Sequence, residues 1–280
     1  DFLFDTGAHR FHDKDPEITT EIKNLMGDKL LEVSSPSKIY HNGKMLNFPI
    51  SVFDAMNKID LKTNLKIIKE NIFLQFKTED QKKNFQDFAY STYGKTLSNL
   101  FLTNYSEKLW GENSQNLSMD VSGGRLKNLN LISMIKQLLS HGKEQFKNLD
   151  GDFLYPKYGF GTIFESIYSQ LNNEEVFLES DITKLIIKDN KINSIVINDK
   201  KKIEVNTVMS TLPLPLLIKR MEIETPEEIN QIIDNFKYRA VKLTILFLNQ
   251  NKFSNNASIY FPQKDIPFTR IYEPKNRSIK

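Results

Sequence analysis

Several residue types and motifs are missing from this sequence, and each absence excludes a class of chemistry. The 280-residue chain contains no cysteine, which excludes disulfide bonds, thiolate metal sites and a cysteine nucleophile. It has no apolar run long enough to span a bilayer, so no transmembrane segment is predicted. Neither a Gly-x-Ser-x-Gly nucleophile elbow nor a Walker phosphate loop occurs. Tryptophan occurs once, at Trp110.

The chain also lacks a strong excess of either positive or negative charge. The net charge is only +3, and both signs are interspersed along the chain. The dense basic run at residues 200–202 falls where a hairpin turn is predicted, so we interpret the lysines as a solvated surface and predict no nucleic-acid partner. Hydrophobic residues make up 39% of the chain, which is ordinary for a globular protein, and we predict a cytoplasmic location.

Local signals near the start of the chain are specific. Residues 2–4 are apolar and precede Asp5-Thr6-Gly7, which predicts a strand and a tight turn. Asp15-Pro16-Glu17 predicts the start of a helix that ends at Gly27, because proline is favoured in the first turn. Asn42-Gly43 lies between short apolar pairs and predicts a β-hairpin.

Helical patterns follow up to about residue 139. Apolar residues recur at helical spacing over residues 55–76 and 80–102, and these stripes are predicted to lie in the core. Residues 105–126 are rich in glycine and are predicted to be irregular. A short helix is predicted over residues 129–139.

The second half of the chain changes to short strands. A glycine-punctuated loop within residues 151–171 is predicted to lead into a helix. A β-meander follows, and a helix is predicted over residues 226–236. The predicted strands are residues 184–188, 192–197, 203–209, 241–248 (buried), 258–261 and 268–273. Helices followed by a meander indicate α+β texture.

Two histidines near the start allow alternative interpretations. His9 and His12 lie close to Asp13 and Asp15, which suggests a metal site. The preceding strand and Gly7 favour extended or turn backbone, however, where residues three apart point to opposite faces. The other interpretation of His9 is a hydrogen-bonded loop histidine, and no metal is predicted.

Other side chains also have two interpretations. Trp110 is either a packing residue or a stacking platform for a ring. Arg125, Arg239 and Arg270 either form surface ion pairs or bind a phosphate or carboxylate. Gly159 precedes a predicted helix. Its segment is either a site where amide groups face an anion or a flat ring, or a plain turn.

Six segments together resemble one superfamily. They are similar to motifs of the FAD-dependent flavin amine oxidase and protoporphyrinogen oxidase superfamily, with closest similarity to UDP-galactopyranose mutase-like proteins. The segments are FLFDTGAHRF (2–11), NYSEKLWGENSQNLS with the following SGGRL (104–126), YPKYGFGTIFESI (155–167), the meander that ends in STLPLP (176–215), YRAVKLTILFL (238–248) and FTRIYEPKN (268–276).

The resemblance implies an α/β fold with a discontinuous Rossmann-like FAD-binding domain. Residues 1–13 and 151–216 would belong to that domain, and residues 14–150 and 217–280 to a helical-plus-strand substrate domain. The Gly-x-Gly-x-x-Gly fingerprint that holds the pyrophosphate in this superfamily is absent and is expected upstream of residue 1. The C-terminal flavin segment is expected after residue 280, so the chain is interpreted as a fragment.

The resemblance also implies roles for individual residues. It gives FAD-binding roles to Gly7, Ala8, His9, Arg10, Phe11, Gly159, Phe160, Ile182, Thr211, Leu212 and Pro213. It gives substrate-binding roles to Trp110, Arg125, Tyr155, Arg239 and Arg270. The flavin itself would carry the chemistry, because the hard step belongs to the cofactor.

Three functions remain as hypotheses. The first is an FAD-dependent oxidoreductase that transfers a hydride from a small-molecule substrate to the flavin. The second is a mutase-like enzyme that isomerises a nucleotide sugar through reduced FAD. In the second case Arg239 and Arg270 would face the substrate pyrophosphate. The third is a relative that binds ligands without catalysis.

Overall fold

A computed structural model describes residues 4–48, 50, 52–76, 82–121, 152–171 and 176–278. The chain divides into two compact units, the first formed by Asp1–Ile167 with Lys242–Lys280 and the second by Tyr168–Val241. These units do not follow the predicted boundaries at residues 13, 150 and 216. The division into flavin and substrate parts therefore stays a prediction.

The first helix of the first unit forms where its capping signals predict. Helix α1 spans Pro16–Met26, and the Asp15 carboxylate accepts hydrogen bonds from the first free backbone amides. The helix ends at Gly27, whose φ of 53° favours glycine. A short 3-10 turn leads into strand β1, Leu30–Val33.

A four-stranded sheet contains the predicted hairpin. Strands β2 (Ser37–His41) and β3 (Lys44–Phe48) pair antiparallel, and both turn residues have positive φ, as Asn-Gly turns require. Farther along the chain, β8 (Ser258–Tyr260) pairs parallel to β2, and β9 (Arg270–Ile271) completes the order β3-β2-β8-β9. The strands predicted over residues 258–261 and 268–273 are therefore confirmed.

The helices after the hairpin are shorter than their sequence pattern predicts. Their bounds are α2 Val52–Lys58, α3 Leu61–Leu74, α4 Phe85–Tyr93, α5 Lys95–Ser98 and α6 Asn104–Trp110, with a π-helical turn over Asn99–Thr103 before α6. The break between α4 and α5 falls at Gly94, whose φ is 80°. The prediction that residues 105–126 are irregular is wrong up to Trp110, since α6 continues to that residue before ending at Gly111.

The predicted core position of the α3 stripe is wrong. The stripe residues Leu61, Leu65, Ile68, Ile72 and Phe76 are exposed. The helix instead buries Ile67 together with Asn64 and Asn71, whose side-chain amides donate to backbone carbonyls of neighbouring segments, including Tyr93. Because a buried amide is tolerated once it is hydrogen-bonded, the hydrophobic pattern alone could not identify the buried face.

Two small apolar cores hold the first unit together. One contains Ile39 and Leu46 of the hairpin, packed against α2 and against Phe101 of the π-helical turn. The other contains Val33 of β1 and Phe153, Tyr155 and Ala257, with Phe160 packed against it. The second core lies directly beneath the turn that follows Asp5.

Strand β4 and helix α7 occupy the segment predicted to be a loop leading into a helix. Strand β4, Phe153–Pro156, pairs antiparallel with β1 and is fully buried, which the sequence pattern did not predict. Helix α7, Gly161–Tyr168, follows the glycine turn as predicted. The predicted strand at residues 2–4 lies mostly outside the described residues, and so does the predicted helix at 129–139.

The second unit contains the predicted meander. Strands β5 (Ile182–Lys188), β6 (Lys191–Ile197) and β7 (Lys201–Glu204) pair antiparallel in sequence order. The basic run lies mostly in β7 rather than in the turn, which is formed by Asn198 and Asp199 with positive φ. Helix α8, Leu214–Arg220, begins after Pro213 and contains Pro215 in its first turn, and α9, Glu227–Asn235, confirms the predicted helix.

The predicted buried strand over residues 241–248 is wrong. These residues form no strand, and Val241, Leu246 and Phe247 are exposed. An apolar run indicates a preference for burial. A strand also needs a neighbouring strand whose backbone forms hydrogen bonds with its N–H and C=O groups. The described residues pair no strand with this segment. No helix in the described part of the chain is long and apolar enough to cross a membrane.

Candidate functional site

The turn from Asp5 to Phe11, called the N-terminal turn below, is fixed to strand β4. The backbone of Phe11 exchanges two hydrogen bonds with Leu154, at N–O distances of 3.1 and 2.8 Å. Within the turn the His9 amide donates to the Gly7 carbonyl at 3.0 Å. The predicted FAD-binding segment Gly7–Phe11 is therefore held on the buried two-stranded sheet.

Asp5 joins the N-terminal turn to the glycine turn before α7. Its carboxylate accepts hydrogen bonds from the Tyr155 hydroxyl at 2.6 Å and from the Phe160 amide at 2.9 Å. Gly159 has a φ of 100°, and an added Cβ there would lie 3.4 Å from the Asp5 carboxylate. The carboxylate thus brings together the two turns that the sequence places about 150 residues apart.

Tyr155 of β4 contributes one of the two hydrogen bonds to the Asp5 carboxylate. Its side chain is buried, and burial, followed by the bond to Asp5, raises the pKa of its hydroxyl. The hydroxyl therefore stays protonated and keeps donating at neutral pH. The sequence analysis gave Tyr155 a substrate-binding role, which stays a prediction.

An aromatic surface lies across the two turns. The rings of His9 and Phe160 are 5.2 Å apart and tilted by 36°. Nδ1 of His9 lies 3.7 Å from the Asp5 carboxylate, and the His9 side chain is largely exposed. Imidazole and phenyl rings at this spacing offer packing contacts to a flat ligand.

His9 and His12 pack against different aromatic rings and do not form a shared metal site. His12 packs near the Phe153 ring, at 6.2 Å, whereas His9 packs near Phe160. Among the described residues, no three or more His, Cys, Asp or Glu side chains are grouped to hold a metal ion.

Two arginine side chains bond near the N-terminal turn, Arg10 from within it and Arg277 from farther along the chain. Arg10 donates to the hydroxyls of Ser37 and Ser258 at 3.0 and 3.3 Å. Arg277 donates to the His9 carbonyl at 2.8 Å and is almost fully buried. Its Nε atom is buried without a hydrogen-bond partner. The sequence analysis missed Arg277, for which the only signal was a charged residue just after the FTRIYEPKN segment.

Trp110 and Arg270 lie on elements that are tied together. Lys108 of α6 donates to the backbone carbonyls of Phe261 and Phe268, the second at 2.8 Å, and so fixes the helix to the loop before β9. Trp110 ends this helix and is 45% exposed, which leaves its indole open to a ligand. Arg270 is exposed on β9, with its guanidinium 5.9 Å from the centre of the Tyr260 ring.

The remaining predicted site residues belong to other parts of the chain. Arg125 lies outside the described residues. Ile182 begins β5, and its carbonyl accepts a hydrogen bond from Arg220 at 2.6 Å. The segment Thr211–Pro213 precedes α8 in the second unit, and Arg239 is exposed in the same unit.

Comparison with known proteins identifies the class. The fold is that of Rossmann-type FAD-binding flavoproteins, since the chain matches the crystal structure of reduced UDP-galactopyranose mutase with a TM-score of 0.81 at 14% sequence identity. The match covers 99% of this chain and 60% of that chain, so the chain spans less than two thirds of the mutase. The predicted α/β, Rossmann-like fold class is confirmed.

The family follows from the sequence. The family of flavin-containing amine oxidoreductases matches residues 1–272, and the chain belongs to this family, whose cofactor is FAD. The predicted superfamily and the FAD prediction are therefore confirmed. No curated protein matches the chain.

Two further solved structures match less closely. A fatty acid isomerase from P. acnes that produces CLA matches with a TM-score of 0.49 at 14% identity, covering 95% of this chain and 64% of that one. A putrescine oxidase variant matches with a TM-score of 0.49 at 10% identity, covering 81% and 51%.

The residues of the N-terminal turn fit a flavin. The turn offers Gly7, the His9 ring and backbone amides, and the glycine turn beside it adds the Phe160 ring and has no side chain at Gly159. The unpartnered, buried Nε of Arg277 is an orphaned donor behind this surface. A flat, polar ring system with hydrogen-bond acceptors would match these features.

Proposed function

We propose that this protein is part of an FAD-dependent oxidoreductase that transfers a hydride from a small-molecule substrate to the flavin. The observation that carries the proposal is the Asp5 carboxylate, which bonds Tyr155 and the Phe160 amide and so joins two turns into one surface. Membership of the flavin amine oxidoreductase family supports it. When bound, the flavin supplies the hydride acceptor.

In this proposal the N-terminal turn binds and orients the flavin ring. His9 and Phe160 give the aromatic contact, while Gly7, Ala8 and Phe11 bring backbone close to the ring. The bond between Phe11 and Leu154 keeps this backbone from shifting. The rigid attachment suits a cofactor site, because small displacements of a reacting ring cost rate.

The second unit contributes to the dinucleotide portion of FAD. We assign Ile182 to the adenine through its backbone and Thr211, Leu212 and Pro213 to the dinucleotide. Ile182 begins strand β5, whereas Thr211–Pro213 form an irregular segment just before α8. Support for both assignments comes from the family match, which covers residues 1–272.

The substrate side is assigned to the α6 end and β9. Trp110 would stack on a substrate ring, and Arg270 would bind an anionic group. Lys108 keeps the elements that carry these two residues together. Arg125, Tyr155 and Arg239 complete the proposed substrate-binding set.

A second candidate is a mutase acting on a nucleotide sugar. The fold similarity to UDP-galactopyranose mutase favours it, and the exposed Arg270 would then face a pyrophosphate. Incubation with UDP-galactopyranose and a reductant separates the candidates, since only the mutase gives the furanose isomer. A protein that binds FAD but shows neither activity would be a binding-only relative.

A titration of the full-length protein with FAD, followed by quenching of flavin fluorescence, tests the cofactor site. Gly159→Ala is expected to weaken FAD binding about tenfold, because a side chain at this positive φ strains the turn next to Asp5. Gly43→Ala is the matched control, since Gly43 also has positive φ but lies in the hairpin turn. Equal affinities for the two variants, or no binding by the parent protein, would contradict the proposal.

A further inference from the structure

Arg277 is placed where an arginine is costly. Its side chain is 2% exposed, and its Nη atoms donate to the carbonyls of His9 and Ala257 and to the hydroxyl of Ser258. The acceptors are neutral, and Nε has no partner. Among the described ion pairs none involves Arg277, so no carboxylate balances its charge directly.

A second guanidinium shares the same surroundings. Arg10 and Arg277 both donate to the Ser258 hydroxyl, each at 3.3 Å. Both guanidinium groups also lie near the Phe153 ring, with their central carbons 4.8 and 6.0 Å from its centre. Two positive charges therefore approach each other around one fully buried hydroxyl.

The charge of Arg277 persists at neutral pH. Burial, and then the neighbouring charges of Arg10 and Arg270, lower the pKa of Arg277 to about 10. This value still lies well above neutrality, so the guanidinium stays protonated. A buried positive charge is unfavourable unless it is paired or hydrogen-bonded, so an anion that came close to Arg277 would be stabilised.

The contact with His9 places the Arg277 charge close to the N-terminal turn. Arg277 contacts the N-terminal turn through the His9 carbonyl at 2.8 Å, so its charge lies directly behind the proposed flavin surface. A flavin that accepts a hydride gains two electrons and one proton, and therefore one negative charge. A buried positive charge stabilises such a nearby anion strongly, because the surroundings screen it weakly.

We propose that the buried Arg277 and the partly buried Arg10 beside it form a positive pair that holds the N-terminal turn and binds the reduced, negatively charged flavin more tightly than the oxidised one. The inference rests on the proposed function, since it needs a flavin on the N-terminal turn. Arg277 is a positioning and electrostatic residue, and no bond to it forms or breaks. The pair raises the reduction potential of the bound flavin and so favours hydride transfer from the substrate.

The midpoint potential of the full-length, FAD-loaded protein tests this inference, measured by equilibration with a reference dye. In Arg277→Gln we expect the preference for reduced over oxidised flavin to fall about tenfold. This change lowers the midpoint potential by about 30 mV for a two-electron couple. Arg277→Lys keeps the charge and should retain most of the preference. Lys58→Gln is the control, because Lys58 also donates to a backbone carbonyl but lies at the end of α2.

Each outcome decides one point. An unchanged potential in Arg277→Gln, with FAD still bound, overturns the inference and leaves the proposed function intact. If Arg277→Gln does not fold, Arg10→Gln carries the same prediction, since Arg10 is only partly buried. If the parent protein binds no FAD, the proposed function fails and the inference fails with it.

Discussion

The bond between Asp5 and Tyr155 allows a quantitative test of the site. Asp5→Ala removes the acceptor of two hydrogen bonds, from the Tyr155 hydroxyl at 2.6 Å and the Phe160 amide at 2.9 Å. Each bond to a charged acceptor stabilises a protein by about 1.5–3 kcal/mol. The substitution should therefore lower the free energy of unfolding by about 3–6 kcal/mol, because two bonds to a carboxylate are lost.

A double-mutant cycle isolates the bond itself. Tyr155→Phe removes only the hydroxyl. In the parent protein this should lower the free energy of unfolding by about 1.5–3 kcal/mol, and in the Asp5→Ala variant it should change it little. Urea unfolding followed by far-ultraviolet circular dichroism gives the four free energies. Tyr90→Phe is the control, since the Tyr90 hydroxyl donates to Asn99 and shares no partner with Asp5.

The expected coupling is about 1.5–3 kcal/mol for Asp5 with Tyr155 and near zero for Asp5 with Tyr90. A coupling below about 0.5 kcal/mol for the first pair, which is the usual scatter of additive sites, would refute the reasoning. Asp5 would then not join the two turns energetically.

The remaining predictions concern the core and acid stability. Leu46→Ala should lower the free energy of unfolding by about 2–5 kcal/mol, because the side chain is fully buried, whereas Leu65→Ala on the exposed face of α3 should change it by less than about 0.5 kcal/mol. Equal losses in urea unfolding would show that the α3 stripe is covered. Burial lowers the pKa of His41 below its usual 6.5, so its contribution to stability is present above that pH and is lost as the pH falls through the folded-state pKa. His41→Gln should therefore lose less stability between neutral and acid pH than the parent protein, and an identical pH profile would contradict this.

The sequence predicted best the features that neighbouring residues determine. The cap at Asp15 and the Asn42-Gly43 turn depend on a few adjacent side chains, and both formed as expected. The meander followed from short alternating runs separated by turns. These signals are local, so a single sequence contains them in full.

Features that depend on distant partners were predicted poorly. The buried face of α3 includes the polar Asn71 because its side chain reaches the carbonyl of Tyr93, a contact the helical pattern does not contain. Residues 241–248 lack a described neighbouring strand despite their apolar run. Strand β4 was missed because its burial depends on β1, more than a hundred residues earlier.

The candidate site shows the same contrast. Gly7–Phe11 and Gly159–Phe160 were identified through resemblance, and the structure shows that Asp5 joins them. Arg277 had no comparable signal, because its role depends on contacts with His9 and Ser258. A charged residue is ordinarily predicted to be exposed.

Photolabelling tests the central claim most directly, that the flavin ring lies on the N-terminal turn. The full-length protein would be loaded with an azido-flavin analogue of FAD, irradiated, and digested for mass spectrometry. We expect labelled peptides that contain Asp5–Phe11 or Gly159–Phe160, with labelling abolished by excess FAD. FAD-sensitive labelling confined to peptides that contain neither turn would contradict it.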